Sequence, residues 1–221
     1  MAADSTPRSA LLAGASGLVG QALLPLLLAS DAYAVTHALL RRPLRDKSDQ
    51  PKLRIHLVDF NSLPMLPPVD DVYIALGTTI KVAGSEAAFR QVDFDAVVST
   101  ARAARAAGAT RLAVVSALGA DAKAKVFYNR VKGEMQAAVC AMGYTSVVLA
   151  QPSLLLGDRE VLGQAQRSGE VWATRFLSPF MSLVPRGVRP ILATSVACAM
   201  VAAMNEPAAG VQVLSSAQMQ P

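Results

Sequence analysis

Short apolar runs alternate with longer helical patterns along most of the chain, and this alternation limits the folds that the sequence can adopt. The runs are continuously apolar, as expected of strands that are covered by helices on both faces of a parallel sheet. Repeated strand–helix alternation is typical of a doubly wound, mostly parallel α/β sheet. The predicted strands are Ser9–Ala13, Ala34–Leu40, Leu53–Val58, Val72–Leu76, Leu112–Ser116, Thr145–Ala150 and Val211–Leu214.

Helical patterns lie between these runs and carry the signals that start and stop helices. The first helix begins near Gly17 and continues over Gln21–Ser30, and Pro25 is expected to kink or shorten it. A long helix rich in alanine and arginine over Ser85–Ala107 ends at Gly108, a residue typical of the position after a helix. The other predicted helices are Lys125–Met142 and Ala193–Asn205.

Composition excludes several classes of protein. Hydrophobic residues make up 52% of the chain and charged residues 17%, so a sizeable core is available. Two cysteines exclude a disulfide framework and a four-cysteine zinc site, and they favour a reducing compartment, which we predict to be the cytoplasm. We expect no membrane span, because no apolar stretch is long enough. We also expect no metal site, because His37 and His56 lie in no cluster at ligand spacing.

The net charge of +5 is a mild surplus that favours an anionic small molecule at least as readily as nucleic acid. Arg102 and Arg105 share one predicted helix without interleaved aromatic residues. We therefore expect no nucleic-acid surface on this helix.

A glycine-rich turn joins the first strand to the first helix. Gly14 can take the tight turn, Gly17 lets the backbone approach a pyrophosphate at the helix N-terminus, and Gly20 permits close packing of helix on strand. The spacing is G-x-x-G-x-x-G, which differs from the G-x-G-x-x-G of the commonest dinucleotide fingerprint. Its position favours a dinucleotide-binding Rossmann fold, and a tight turn without a ligand is the alternative. The predicted cofactor contacts here are Gly14, Ser16, Gly17, Leu18, Val19 and Gly20.

Two further segments are candidates for the adenosine half of the cofactor. An acidic residue after the second strand would bind a ribose 2′-hydroxyl and favour NAD, but this chain has Arg41 and Arg42 there. Guanidinium groups suit a 2′-phosphate, so the pair predicts a preference for NADP(H) over NAD(H), with a solvated basic loop as the alternative. Asp59 and Phe60 end the third strand and could meet the adenine, or they could be a turn residue and a buried side chain.

Tyr128 and Lys132 are four residues apart on a predicted helix, and therefore share one face about 6 Å apart along the axis. An ammonium near a phenol favours the phenolate, so Tyr128 could exchange a proton with a substrate oxygen near neutral pH. Ser116 ends the preceding strand, where the ligand crevice of a parallel sheet lies, and could hydrogen-bond the same oxygen. We predict that Ser116, Tyr128 and Lys132 are catalytic, and an ordinary pair on a helix surface is the alternative.

With the glycine turn, these three residues resemble the short-chain dehydrogenase/reductase superfamily. Finer detail is similar to its atypical NAD(P)H-binding branch, which includes the human Tat-interacting oxidoreductase family and its bacterial relatives. The segments that carry this likeness are Ala75-Leu76-Gly77-Thr78-Thr79, Tyr128 through Lys132-Gly133-Glu134, and Pro152-Ser153-Leu154-Leu155-Leu156-Gly157-Asp158-Arg159.

The resemblance implies further cofactor contacts. Leu76, Gly77 and Thr78 would line the cofactor, and Lys132 would also hold the nicotinamide ribose. The segment Pro152, Ser153 and Leu154 would pass beside the carboxamide. Gln151 departs from the family, because many relatives have arginine at this position.

Three functions remain open from the sequence. The first is an NADP(H)-dependent oxidoreductase that acts on a small carbonyl or alcohol substrate by hydride transfer, with Tyr128 as general acid or base. The second is a non-catalytic NADPH-binding sensor or regulatory protein. The third and weaker alternative is a nucleotide-sugar epimerase, because extended enzymes of that kind share the same three residues.

The pattern of the chain changes after Pro152, where glycine and proline interrupt short segments. We predict a flexible tail over residues 1–8 and one NAD(P)-binding domain over residues 9–221, in which residues 152–221 form an elaboration on the substrate side. The apolar segment Val171–Val184 could cover the substrate crevice, join the core or contact a second subunit, and a membrane-surface role is the weakest alternative. Superfamily relatives pair through the two long helices, so a homodimer also remains open.

Overall fold

Parallel strands form the centre of the computed structural model, which describes residues 6–43, 50–156 and 185–221. Seven of the strands in these ranges form one sheet in the order β3-β2-β1-β4-β5-β6-β9, and β7 and β8 pair separately. The strand order reverses between β1 and β4, so the fold is the Rossmann-like, doubly wound α/β fold that the sequence predicts. The strands are β1 (Arg8–Ala13), β2 (Tyr33–Leu40), β3 (Leu53–Leu57), β4 (Asp71–Ile74), β5 (Arg111–Val115), β6 (Ser146–Gln151), β7 (Leu155–Leu156), β8 (Ile191–Leu192) and β9 (Gly210–Ser215).

Helices cover both faces of the sheet. The predicted long helix over Ser85–Ala107 is present, but a π-helical turn over Gln91–Ala96 lies in its middle. Pro25 lies on the exposed side of the first helix, which continues past it to Ala29. The helices are α1 (Leu18–Ala29), α2 (Ile80–Ala83), α3 (Glu86–Arg90), α4 (Val97–Ala106), α5 (Phe127–Cys140), α6 (Ala193–Asn205) and α7 (Ser216–Met219).

Two apolar layers hold the helices on the sheet. On one face, α1 and α6 pack together and bury leucine and methionine side chains against the strands. On the other face, α4 and α5 bury alanine, valine and methionine side chains. Burial of such side chains stabilises the fold by about 1.5–3 kcal/mol for each large one. Members of the two layers include Leu23, Leu27, Val196 and Met200 on the first face, and Val97, Ala101, Met135 and Val139 on the second.

A buried charged cluster closes the edge at which the strands begin, which we call the amino edge. Asp71 is fully buried and its carboxylate contacts the guanidinium groups of Arg111 at 2.5 Å and Arg8 at 3.2 Å. The Tyr33 hydroxyl donates to the same carboxylate at 2.6 Å, and the Tyr73 hydroxyl lies 2.8 Å from that of Tyr33. Burial raises the pKa of both phenols, so they remain protonated and Tyr73 donates to Tyr33.

The residues after Pro152 are connected to the main sheet. β9 pairs with β6 from Ser146 and Gly210 to Gln151 and Ser215. The Ser153 hydroxyl donates to the backbone oxygen of Arg189 and accepts a hydrogen bond from the Ser216 hydroxyl at 3.0 Å. The last residues of the chain therefore hold the segment that leaves β6. The apolar segment over residues 171–184 and the end of the 152–159 motif lie outside the described residues.

Candidate functional site

The glycine turn lies between β1 and α1, at the edge where the strands end, which we call the carboxyl edge. Gly14 has a φ of +91°, and a Cβ atom there would lie 2.6 Å from the Ala75 carbonyl group. A Cβ atom on Gly20 would lie 1.9 Å from the Gly14 oxygen. Gly17 differs, because its φ of −85° suits any residue and a Cβ atom would come no closer than 3.4 Å to the atoms around it. The fold requires Gly14 and Gly20, whereas its own packing does not require Gly17.

Backbone amides at the start of α1 are available to an anion. Gly17 caps the helix, and its carbonyl accepts the first helical bond from the Gln21 amide at 2.8 Å. The amides of the first turn have no acceptor within the helix, and no acidic residue lies in that turn. The positive end of the helix dipole adds to their attraction for a phosphate. These residues fit the pyrophosphate of a dinucleotide.

Arg41 and Arg42 are exposed and directly follow β2. Since β2 pairs with β1 up to Leu39 and Ala13, both arginines lie at the carboxyl edge beside the glycine turn. The next basic residues that the structure describes, Lys52 and Arg54, instead donate to backbone carbonyl groups. Lys52 donates to the Ser30 carbonyl at 3.0 Å, and Arg54 donates to the Pro51 and Leu53 carbonyls at 2.8 and 2.9 Å. Arg45 and Lys47 lie outside the described residues.

Asp59 and Phe60 form a turn after β3. The Asp59 carboxylate accepts the amide of Asn61 at 2.9 Å, and its carbonyl accepts the amide of Ser62 at 3.1 Å. The Phe60 side chain is buried in the layer on the α4 side. Both residues therefore have structural roles of their own, and a contact with adenine stays a prediction.

The segment that follows β4 and carries Gly77 and Thr78 is linked through Asp93 to Lys132 on α5. The Thr78 amide donates to Asp93 Oδ2 at 2.8 Å, which holds the segment against the π-helical turn. Gly77 is exposed, and a Cβ atom on it would lie 3.3 Å from Asp93 Oδ1 and 3.8 Å from Lys132 Nζ. The structure therefore brings together Gly77, Thr78 and Lys132, which the sequence analysis assigned separately.

Lys132 forms a buried ion pair. Its Nζ atom lies 2.7 Å from Asp93 Oδ1, and the two side chains are 4% and 1% exposed. A buried charge needs such a partner. Removal of one member of a buried ion pair lowers the free energy of unfolding by about 3–5 kcal/mol, because the other charge is left unpaired. Asp93 thus holds both the predicted ribose-binding lysine and the loop that carries Gly77.

Tyr128 lies in the first turn of α5, one turn before Lys132. Its ring is half-buried and packs at 5.4 Å from the ring of Phe89, measured between centroids. Phe89 is fully buried on α3, so the position of the Tyr128 ring depends on the same long helix that carries Asp93.

Ser116 directly follows β5, and its side chain is nearly buried. Its hydroxyl oxygen accepts a hydrogen bond from Gln136 Nε2 at 2.6 Å. Gln136 lies on α5 one turn after Lys132. Its Oε1 atom accepts a hydrogen bond from Gln151 Nε2 at 3.3 Å. Gln151 thus belongs to a neutral chain of hydrogen bonds that ends at Ser116.

The segment Pro152–Leu154 is fixed from both sides. The Pro152 carbonyl accepts the Leu118 amide at 2.9 Å, and the Leu154 carbonyl accepts the Ile191 amide at 2.9 Å. These bonds place the segment at the carboxyl edge between the loop after β5 and strand β8.

Two residues of this site were missed by the sequence analysis. Asp93 is an acid on a helix whose other buried residues are uncharged, and this exception was the available signal. Gln136 continues the spacing of Tyr128 and Lys132 by one further turn. Neither signal identifies the partner, because Asp93–Lys132 and Gln136–Ser116 are contacts between different elements.

Over residues 6–43, 50–156 and 185–221, no three histidine, cysteine or acidic side chains lie together as metal ligands would. His37 and His56 form a pair, with 2.9 Å between Nδ1 and Nε2, on β2 and β3. No helix in these ranges combines the length and the apolar character that a bilayer requires.

Comparison with known protein families gives a match over most of this fold. Residues 14–154 match the model of a family described as NAD(P)H-binding. The matched range runs from the first glycine of the turn to the segment after β6, and it includes Asp93, Ser116, Tyr128 and Lys132.

Curated relatives extend this result. The Emericella nidulans protein fmp52, mitochondrial, is 33% identical over 157 residues, which cover 67% of this chain and 67% of that protein. Rat protein HTATIP2 is 32% identical over 174 residues, which cover 76% of this chain and 70% of that protein. The resemblance to the Tat-interacting family is therefore confirmed.

Solved structures at low identity support the fold. MoeE5 in complex with UDP-glucose and NAD superimposes with a TM-score of 0.69 at 19% identity, over 93% of this chain and 75% of that one. UDP-N-acetylglucosamine 4-epimerase from Methanobrevibacter ruminantium gives 0.69 at 13% identity, over 96% and 77%.

The relatives contradict the predicted cytoplasmic location. The FMP52 proteins of Emericella nidulans and Eremothecium gossypii are named as mitochondrial. The prediction was wrong because it used only the two cysteines, and free thiols indicate a reducing compartment without identifying which one. With the family match, the relatives and the fold in agreement, the chain belongs to the NAD(P)H-binding family that includes the FMP52 proteins and HTATIP2.

Proposed function

We propose that the protein is an NADP(H)-dependent oxidoreductase of the short-chain dehydrogenase/reductase type that acts on a small carbonyl or alcohol substrate. One observation carries the proposal. Lys132 lies one helical turn from Tyr128, and its buried ammonium group is paired with Asp93. The same ammonium lies within 4 Å of the position that a Cβ atom of Gly77 would occupy. The lysine therefore stands between the predicted proton donor and the loop assigned to the cofactor.

The residues present fit a dinucleotide. The unfilled amides at the start of α1 and the open space at Gly17 suit the pyrophosphate, and the exposed guanidinium groups of Arg41 and Arg42 suit a 2′-phosphate. Leu76, Gly77 and Thr78 would line the middle of the cofactor. When bound, the nicotinamide supplies the hydride that the substrate carbon receives.

The protein residues then have distinct tasks. Tyr128 gives its phenolic proton to the substrate oxygen as the carbonyl is reduced, and takes a proton back in the oxidative direction. Ser116 donates a hydrogen bond to the same oxygen and orients the substrate. Lys132, fixed by Asp93, stabilises the phenolate that the proton transfer leaves and holds the nicotinamide ribose.

Tyr128→Phe tests the chemistry, because it removes one oxygen and keeps the ring packed against Phe89. NADPH oxidation is measured at 340 nm with a panel of uncharged aldehydes and ketones. We expect turnover to fall by about a hundredfold or more with little change in NADPH affinity. Tyr144→Phe is the matched control, because its hydroxyl donates to the Ala101 carbonyl in the α4 layer. An unchanged rate in Tyr128→Phe would overturn the proposed mechanism.

Cofactor preference has its own test. Calorimetric titration compares NADPH and NADH with the wild type and with the double variant Arg41→Ala and Arg42→Ala. We expect NADPH affinity alone to fall, because only NADPH carries the 2′-phosphate. The double variant Arg102→Ala and Arg105→Ala removes the same charge from α4 and should leave both affinities unchanged. Equal loss for both cofactors, or no loss for either, would contradict a contact with the 2′-phosphate, and no loss would assign Arg41 and Arg42 to a solvated loop.

A second candidate is a non-catalytic NADPH-binding sensor. It is favoured by the Asp93 carboxylate, which lies 2.7 Å from the Lys132 ammonium and reduces the positive charge available to Tyr128. Tight NADPH binding without turnover of any carbonyl would support this function. A nucleotide-sugar epimerase is the weaker alternative, and it would convert its substrate without net NADPH oxidation.

A further inference from the structure

We propose that Gln136 is a positioning residue that directs the proton of the Ser116 hydroxyl toward the substrate oxygen. The proposal rests on the oxidoreductase function proposed above and adds to it a residue outside the predicted catalytic three. Its basis is the hydrogen-bond chain from Gln151 through Gln136 to Ser116 at the carboxyl edge.

The position of the Ser116 oxygen is fixed by two contacts. The Ser116 amide donates to the Ala150 carbonyl at 2.7 Å, which continues the pairing of β5 with β6. Gln136 Nε2 donates to the hydroxyl oxygen at 2.6 Å. With 4% of Ser116 exposed, the side chain has little room to leave this arrangement.

The direction of the hydroxyl proton follows from the count of donors and acceptors. A serine hydroxyl has one O–H donor and two acceptor lone pairs. Gln136 uses an acceptor position, so the proton remains to be donated, and no group in the described part of the chain accepts it. A buried donor without an acceptor costs free energy, and a substrate carbonyl oxygen would satisfy it.

Gln151 supports the orientation of the Gln136 amide in which Nε2 faces Ser116. Its own Nε2 atom donates to Gln136 Oε1 at 3.3 Å. Reversal of the Gln136 amide alone would bring two NH₂ groups together and lose that bond. Gln151 is the last residue of β6 and its backbone pairs with Ser215 of β9, which fixes where its side chain begins.

The neutrality of Gln136 is essential to this role. A carboxylate at the same position can only accept hydrogen bonds. It would accept the hydrogen bond of the Ser116 hydroxyl in place of the substrate oxygen. A methionine of similar size would neither donate nor accept strongly and would leave the hydroxyl free to rotate. Gln136→Glu and Gln136→Met therefore separate loss of the hydrogen bond from its reversal.

The experiment measures NADPH-dependent reduction of the best member of the panel of uncharged aldehydes and ketones. We expect Gln136→Met to lower kcat by about tenfold, which is less than the hundredfold or more typical of removing one donor to a developing oxyanion. Gln136→Glu should lower kcat further. NADPH affinity should stay within about twofold of the wild type in both variants, because the amide contacts Ser116 and Gln151.

A double-mutant cycle distinguishes positioning from a general structural effect. If Gln136 acts through Ser116, the pair Ser116→Ala and Gln136→Met should be no slower than Ser116→Ala alone. Gln212→Met, at a half-buried glutamine in the middle of β9, controls for the exchange itself and should leave kcat unchanged.

The outcomes separate this inference from the proposed function. An active wild type that requires Tyr128 but tolerates Gln136→Met, or loses activity multiplicatively in the double variant, overturns the role of Gln136 alone. A Gln136→Glu variant at least as fast as Gln136→Met overturns the direction assigned to the hydroxyl proton. A wild type that binds NADPH but reduces no member of the panel overturns both proposals.

Discussion

Two buried aspartates lie at opposite edges of the same sheet, and their surroundings differ. Asp71 at the amino edge contacts two guanidinium groups and a tyrosine hydroxyl, and every partner comes from the start of a strand. Asp93 at the carboxyl edge contacts one ammonium group and one backbone amide, and both partners border the exposed Gly77.

One sheet thus carries a structural cluster at its amino edge and a candidate binding site at its carboxyl edge. The Asp71 carboxylate is fully buried among groups that hold four strands together, so a ligand in solution cannot reach it. The Asp93 carboxylate holds a cation and a loop in place beside open space, which is the condition for binding something else. We therefore expect changes at the amino edge to alter the free energy of unfolding, and changes at the carboxyl edge to alter binding and turnover.

The largest effect is expected at the amino edge. Asp71→Asn keeps the size of the side chain and removes the charge that Arg8 and Arg111 share, so the free energy of unfolding should fall by about 3 kcal/mol. Urea denaturation measures this loss, and NADPH affinity of the folded protein should be unchanged. Asp70→Asn is the control, because Asp70 is exposed and accepts a hydrogen bond from the Ser9 hydroxyl at 2.8 Å. This variant should lower the free energy of unfolding by about 1 kcal/mol or less. A loss below that of the control would contradict the role of Asp71.

The glycine turn gives the next largest effect. Gly17→Val places a branched side chain where the pyrophosphate would approach, and its backbone angles suit valine. Binding of both cofactors should weaken by about a hundredfold or more, which corresponds to about 2.7 kcal/mol. Calorimetry measures the affinity, and the free energy of unfolding should change by about 1 kcal/mol or less because only the helix cap is altered.

Gly20→Val is the comparison within the same turn. Its Cβ atom would overlap the Gly14 oxygen, so this variant should fail to fold rather than fail to bind. Normal cofactor binding by Gly17→Val would move the pyrophosphate site away from the turn.

Asp93→Asn should have a smaller effect, of about tenfold on turnover. The amide keeps an oxygen for the Thr78 N–H group but loses the charge that holds Lys132. Because the lysine stays buried without its charged partner, the free energy of unfolding should also fall, by about 3 kcal/mol, the lower end of the cost of removing one member of a buried pair. The exposed Asp95, two residues away, is the control as Asp95→Asn. A loss of stability without any loss of turnover would make Asp93 equivalent to Asp71.

The smallest effect is spectroscopic. The chain has four tyrosines, and burial raises the pKa of Tyr33, Tyr73 and Tyr144 above the ordinary value. These three phenols should remain protonated as the pH rises until alkaline unfolding exposes them. Tyr33→Phe, Tyr73→Phe and Tyr144→Phe should therefore each leave the native absorbance titration at 295 nm unchanged and remove amplitude only from the unfolding step. A native amplitude that falls in Tyr33→Phe or Tyr73→Phe would show that the amino edge is open to solvent.

The features that local pattern determines could be predicted from the sequence. The strand positions followed from continuous apolar runs, and the glycine turn followed from its place after the first of them. Ser85 was correctly placed at the start of a long helix, where its side chain accepts the Ala88 amide. The shift to π-helical geometry at Gln91–Ala96 could not be predicted, because the residues there are ordinary helix formers and the neighbouring elements determine where Asp93 points.

The partners of the site residues were equally inaccessible to local reasoning. Lys132 was expected beside Tyr128 because they share a helix face, whereas its ion pair with Asp93 joins residues from two different helices. Ser116 was expected at a strand end, but its bond from Gln136 depends on how α5 packs over β5 and β6. Spacing within one element identifies candidate groups, and contacts between elements determine what those groups can do.

The position of β9 has a consequence for how the protein is made. The ribosome adds about 5–20 residues per second, and the N-terminal part of a domain can begin to fold while the rest is still being synthesised. β6 remains an open edge until Gly210–Ser215 leaves the ribosome, and Ser153 lacks its bond from Ser216 until the same moment. A nascent chain can therefore assemble the glycine turn and the Lys132–Asp93 pair well before the segment beside the predicted nicotinamide position is secured. The candidate site is therefore fully supported only when β9 has paired, so chains whose translation stops before β9 would retain an incomplete candidate site and an exposed strand edge prone to aggregation.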